Sequence, residues 1–189
     1  MLFRSWRPRE EILADGTTRY LYKRRTGEAD LSLAELRQAI DSPPTFEKEH
    51  ELISQLIRTL RKAGVRIVLM PPIKQGAAAE WDHRQGTLRI QPEMWKKGSV
   101  DFLHILNHEA IHVAQSCKGG ALKAPPAALG IRSSESIADL DKKLKDPVYS
   151  NTSRWERNLE LEAYGLQSNS EAARQIVESH CKLAMNMTN

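Results

Sequence analysis

The sequence predicts an α+β fold: a small antiparallel or mixed sheet packed on one buried helix, with a second, glutamate-bearing helix beside it. Three observations carry this expectation. Residues 65–70 are rich in β-branched residues and stop at Pro71, and residues 87–91 alternate in polarity before Pro92, so both read as strands. Residues 100–116 contain neither Gly nor Pro and are apolar on nearly every side, which marks a helix enclosed in a core. In residues 154–167, Glu156, Glu160 and Tyr164 recur on one helical face, with Trp155, Leu159 and Ala163 beside them.

Taken in order, residues 1–30 are basic and aromatic, with Arg4, Trp6, Arg7, Arg9, Arg19, Tyr20, Tyr22 and Lys23 among them. Asp15-Gly16 between two short extended runs predicts a hairpin. This segment is expected to be a hairpin or arm, separate from a domain of residues 31–189. Ser32 and Glu35 form a capping-box pattern for a short helix that stops at Pro43-Pro44. Thr45 is placed to cap the next helix, whose stripe is Phe46, Ile53, Leu56, Ile57 and Leu60, with Gly64 as its stop. His50 on that helix reads as a surface residue. The stretch 65–70 is expected to bury at least one face. His83-Arg84-Gln85-Gly86 reads as a hairpin connection, and the strand that follows, with Arg89 and Gln91 on one face, is suited to an edge. Residues 118–133, rich in Gly, Ala and Pro, suggest an irregular crossing, followed by a short charged helix near 134–145. Ser168 and Glu171 make a further capping box for a last helix.

The chain has 189 residues, 40% of them hydrophobic, enough for one domain with a real core. A net charge of +4 makes it mildly basic, which alone is weak ground for a nucleic-acid partner. No apolar run resembles a signal peptide or approaches a membrane span, so a cytoplasmic protein with no membrane partner is expected. Cys117 and Cys181 are the only cysteines, and in a reducing compartment they are expected to be free thiols.

The buried run contains His108-Glu109-Ala110-Ile111-His112. Helical residues four apart return to nearly the same angular position, so two imidazoles can bind one metal ion from one side. Glu109 lies at the edge of that face, where a carboxylate reaches a metal-held water without being a ligand. Two histidines and a glutamate in a core are costly unless paired or metal-bound. His104 lies one turn earlier, but its angle to His112, roughly 80°, suits a supporting group better than a third ligand. A zinc site needs another ligand, commonly a carboxylate, and a glutamate on a second helix provides one.

The HExxH motif and the downstream stretch Glu160-Leu161-Glu162-Ala163-Tyr164 together resemble the zincin metallopeptidases of the gluzincin type. The resemblance covers residues 65–167. It implies a zincin-like core and a zinc-dependent metallopeptidase acting on a peptide or protein substrate. His108, His112 and Glu160 would hold Zn2+, and Glu109 would be the general base. Glu162 is the alternative ligand, on nearly the opposite side of the helix from Glu160. Tyr164 stands where many relatives carry an acidic residue. Tyr164, His104 and Tyr149 are candidates to support a ligand or to stabilise an oxyanion, and residues 87–91 are the expected seat of the substrate strand. The alternative is a catalytically weak zincin-fold binding or regulatory protein, associated with nucleic acid through its basic N-terminus.

Overall fold

The run free of Gly and Pro is a helix of 20 residues, and the rest of the fold is arranged on it. The computed structural model describes residues 8–22, 29–42, 45–131, 142, 144, 145, 149 and 152–181. A hairpin of β1 (Arg9–Ile12) and β2 (Thr18–Leu21) is followed by helices α1 (Leu33–Asp41) and α2 (Glu47–Lys62). Strands β3 (Arg66–Leu69), β4 (Ala79–Asp82) and β5 (Thr87–Ile90) then lead through a 3-10 turn (Pro92–Lys97) into α3 (Ser99–Lys118). Helices α4 (Arg154–Leu166) and α5 (Ser170–His180) complete the described elements. The α+β class is the one expected.

Helix α3 contacts α2, α4, α5 and β4. It buries Phe102, Leu106, Ile111 and Val113 against Leu56 and Leu60 of α2, Leu88 and Ile90 of β5, and Val177 of α5, all within one apolar cluster. Burying such side chains is the main favourable term in folding. Trp81 of β4 adds a polar pin, its indole N–H donating to Ser116 Oγ at 2.9 Å inside the core. No described helix is long and apolar enough to cross a membrane.

The three-stranded sheet has the order β3-β5-β4, with β3 parallel and β4 antiparallel to β5. This corrects one expectation. The strand at residues 87–91 is central, so both its edges are occupied, and the terminal strand beside α3 is β4. Arg89 and Gln91 gave the strand a polar face, but strand order depends on long-range pairing that polarity does not encode. β3 is the other terminal strand, with Arg66 and Leu69 exposed and Ile67 and Val68 only half-buried.

Local signals were followed closely in several places. Ser32 and Glu35 form a reciprocal capping box. The Asp15-Gly16 turn closes β1 on β2 in register Ile12↔Thr18. Gly86 closes the 83–86 connection at φ 62°, a left-handed conformation that favours glycine. Two caps differ. Phe46, not Thr45, is the N-cap of α2, in a left-handed conformation with no side-chain cap bond. Asn169, not Ser168, caps α5 by accepting from Ala172 N–H, while Glu171 pairs with Arg174. Asn is as good a cap as Ser, so a one-residue shift in the start of α5 decides between them. His50 is half-buried and hydrogen-bonded to Ser99 Oγ at 2.7 Å, which corrects its reading as a surface residue.

The cysteines also depart from expectation. Cys117 and Cys181 form a disulfide that joins the end of α3 to the C-cap of α5 across 64 residues of sequence. They meet because α5 packs along α3, a tertiary fact that no local pattern announces. Just beyond Cys117, a Cβ on Gly119 would lie 2.1 Å from the Pro125 carbonyl oxygen. Only glycine lets the crossing fold back on the helix end. Residues 119–131 are irregular, as expected, while the charged helix expected near 134–145 falls almost wholly outside the described residues. So do most of the basic N-terminal residues. Of those described, Arg19 pairs with Glu11 at 2.7 Å.

Candidate metal centre

Helix α3 presents His108 and His112 on adjacent turns, with their rings 4.9 Å apart between centroids. Helix α4 starts at a capping box formed by Ser153 and Glu156, which fixes its register and engages the Glu156 carboxylate. One turn later Glu160 meets the histidines. Its Oε2 lies 3.1 Å from His108 Nε2 and 3.5 Å from His112 Nε2, and the two Nε2 atoms are 3.2 Å apart. These three residues form a group that can hold a metal ion. Two ligands about 2.0–2.1 Å from one ion at tetrahedral angles lie roughly 3.3 Å apart, so the observed spacing fits a small divalent cation.

Electrostatics agree with that geometry. Burial alone would raise the Glu160 pKa, but His112 and His108 outweigh it and hold the carboxyl well below the usual range. Burial alone would lower the His112 pKa, but Glu160 raises it to about 9. Without metal, therefore, His112 is protonated at neutral pH and paired with Glu160. The pairing stabilises the metal-free fold fully below pH 6.5, the ordinary histidine value, and this contribution is lost as pH rises through about 9. A metal ion must displace that proton. Metal affinity is thus expected to rise about tenfold per pH unit up to pH 9, with about one proton released per ion near pH 7.5. Calorimetry in buffers of different ionisation enthalpy measures both, and an affinity flat between pH 6 and 8 would contradict the assignment of His112.

Glu109 is 6% exposed and is not one of the three converging residues. Burial raises its pKa, against the opposing pull of His108 and His112, and it takes a hydrogen bond from the Trp81 backbone. A poised carboxylate beside the metal group is the result. It lines a cleft of about 670 Å³ together with His108, His112, Glu160, β4, Pro125-Pro126 of the crossing, and Trp155 of α4.

The remaining candidates separate cleanly. Tyr164 lines the cleft and packs edge-on to His108 at 4.6 Å between centroids. It does not bond His108 Nδ1, which has no hydrogen-bond partner among the described residues. Its hydroxyl shares a 2.7 Å hydrogen bond with Tyr149. Burial and the nearby Glu160 carboxylate push the Tyr149 phenol upward, so it keeps its proton as a potential donor. Lys74 sits 4.5 Å over the Tyr149 ring. His104 does not line the cleft. Glu162 is turned away from the metal group, as its position on α4 implies. Its oxygens accept from Gln115 Nε2 and from the backbone N–H groups of Leu129, Gly130 and Ile131, so it anchors the crossing.

Sequence reasoning missed Gln115, which is fully buried and hydrogen-bonds His112. A signal was present, because Gln115 is a polar residue one turn beyond His112, where the two side chains are neighbours on the helix surface. Comparison of the chain with models of known families, with curated proteins and with solved structures gives no match.

Proposed function

We propose that the protein is a zinc-dependent metallopeptidase with a zincin-like core, and that Glu109 is its general base. The observation that carries this reading is the convergence of His108, His112 and Glu160 from two helices, with a buried carboxylate at its edge. Three protein ligands of this kind leave a fourth position open for water. A bound zinc ion supplies Lewis acidity and lowers the pKa of that water toward neutrality.

The chain's own residues do the rest. Glu109 accepts the water proton and passes it to the leaving amine; its raised pKa brings it toward the range in which both transfers are feasible. The Tyr149–Tyr164 hydroxyl pair, one of whose O–H groups is spent on their mutual bond, offers an O–H donor to a developing oxyanion. An extended substrate lies along β4, a terminal strand that lines the cleft and can pair with a peptide main chain. Trp155 and the two prolines contribute apolar wall for side chains.

Metal analysis and peptide-library cleavage test this proposal together. The expected result is one zinc per chain, with cleavage that stops on chelation and returns when zinc is added back. Cleavage indifferent to chelation, or a protein that takes up no zinc, would exclude it. Stoichiometric zinc with no cleavage of any peptide would instead identify a metal-holding binding module.

A further inference from the structure

The Gln115 side chain is 0% exposed, and all of its hydrogen-bonding capacity is directed at the metal group and its supports. Oε1 lies 2.8 Å from His112 Nδ1. Nε2 donates to the Leu159 carbonyl at 3.0 Å and to Glu162 Oε2 at 2.9 Å. The Leu159 carbonyl has no proton to give, so the amide nitrogen must face it and Oε1 must face His112. The partner of an amide oxygen must be a donor. His112 therefore carries a proton on Nδ1 in either charge state, and Nε2, which faces Glu160 and His108, is the nitrogen that would give up its proton to a metal ion. Leu159 immediately precedes Glu160 on α4, so the same amide also sets where Glu160 stands.

We infer that Gln115 is a positioning residue that sets two of the three metal ligands at once: the tautomer of His112 through Oε1 and the seat of Glu160 through Nε2. This rests on the metal site proposed above. A ligand imidazole held by an acceptor at its far nitrogen loses no free energy to rotation or to the wrong tautomer on metal binding, and losing such a partner weakens metal affinity about 10- to 100-fold.

The test is zinc affinity of the full chain by competition with a chromophoric chelator, alongside melting of the metal-free protein. Gln115→Met preserves volume and removes all three hydrogen bonds, and is expected to weaken zinc binding about 10- to 100-fold. A role in packing alone would lower the melting temperature and leave the zinc affinity of the folded protein unchanged. Gln115→Glu keeps an acceptor for His112 but sets a carboxylate against Glu162 and the Leu159 carbonyl, and should weaken binding as well. Nitrogen NMR of the wild-type zinc complex is expected to show His112 protonated at Nδ1, a readout that stands even if Gln115→Met does not fold. Zinc binding by Gln115→Met as tight as by the wild type, or a wild-type His112 with no proton on Nδ1, overturns the inference and leaves the metal site intact. A wild-type protein that binds no zinc overturns the site itself and the inference with it.

Discussion

A Glu109→Gln protein is expected to hold zinc stoichiometrically and to cleave peptides about 100- to 10 000-fold more slowly than the wild type. The two halves of that expectation come from different observations. Metal is retained because the converging atoms belong to His108, His112 and Glu160, not to Glu109. Cleavage is lost because an amide of the same size cannot accept the water's proton. The fold should not suffer, because burial already opposes the charge on Glu109 and a neutral side chain relieves that opposition. Glu160→Gln is the matching control. It should lose zinc and cleavage together, because a neutral amide neither offsets the cation's charge nor ligates it as a carboxylate does. If Glu109→Gln keeps full activity, Glu109 is not the base.

Removing the Cys117–Cys181 bridge is expected to lower stability by about 4 kcal/mol, the chain-entropy value for a closed loop of 64 residues. A double Cys→Ala variant, compared with the oxidised wild type in a denaturant titration, measures this directly. Reducing the wild type should reproduce most of the shift, and an unchanged midpoint would show that the bridge adds nothing. The loop contains α4 and with it Glu160, so the loss extends to the metal group. Bridges persist in oxidising surroundings and are reduced in cytosolic ones, so this stabilisation is expected to depend on the redox state around the protein.

Much of the site was legible in the sequence because its signals are local. Five consecutive residues place two imidazoles on one helical face with a carboxylate at its edge, and apolar residues on nearly every side of residues 100–116 implied a helix buried deeply enough to make that costly. Glu160 needed the resemblance as well, since helical spacing alone puts Glu156, Glu160 and Tyr164 on the same face. What escaped depends on distance along the chain. The central position of β5, the pairing of two cysteines and the double hold of Gln115 are each created by helices and strands meeting in space. A polarity pattern reports which face is buried, not what it is buried against. The caps show the same limit on a smaller scale: Ser168 and Asn169 are both competent caps, and Asn169 is the one used.

Glu162, which anchors the crossing, has a consequence for how the protein opens. Its carboxylate is the acceptor for three successive backbone N–H groups, at Leu129, Gly130 and Ile131, and it lies on the same helix as Glu160. Swinging α4 outward to uncover Glu160 would pull a buried carboxylate from its donors and leave those amides unpaired. Hydrogen bonds to a charged group contribute about 1.5–3 kcal/mol each. Partial opening on the α4 side is thus disfavoured, and helix and crossing should fluctuate as one cooperative unit. The His108, His112 and Glu160 group is therefore expected to stay assembled as the protein fluctuates.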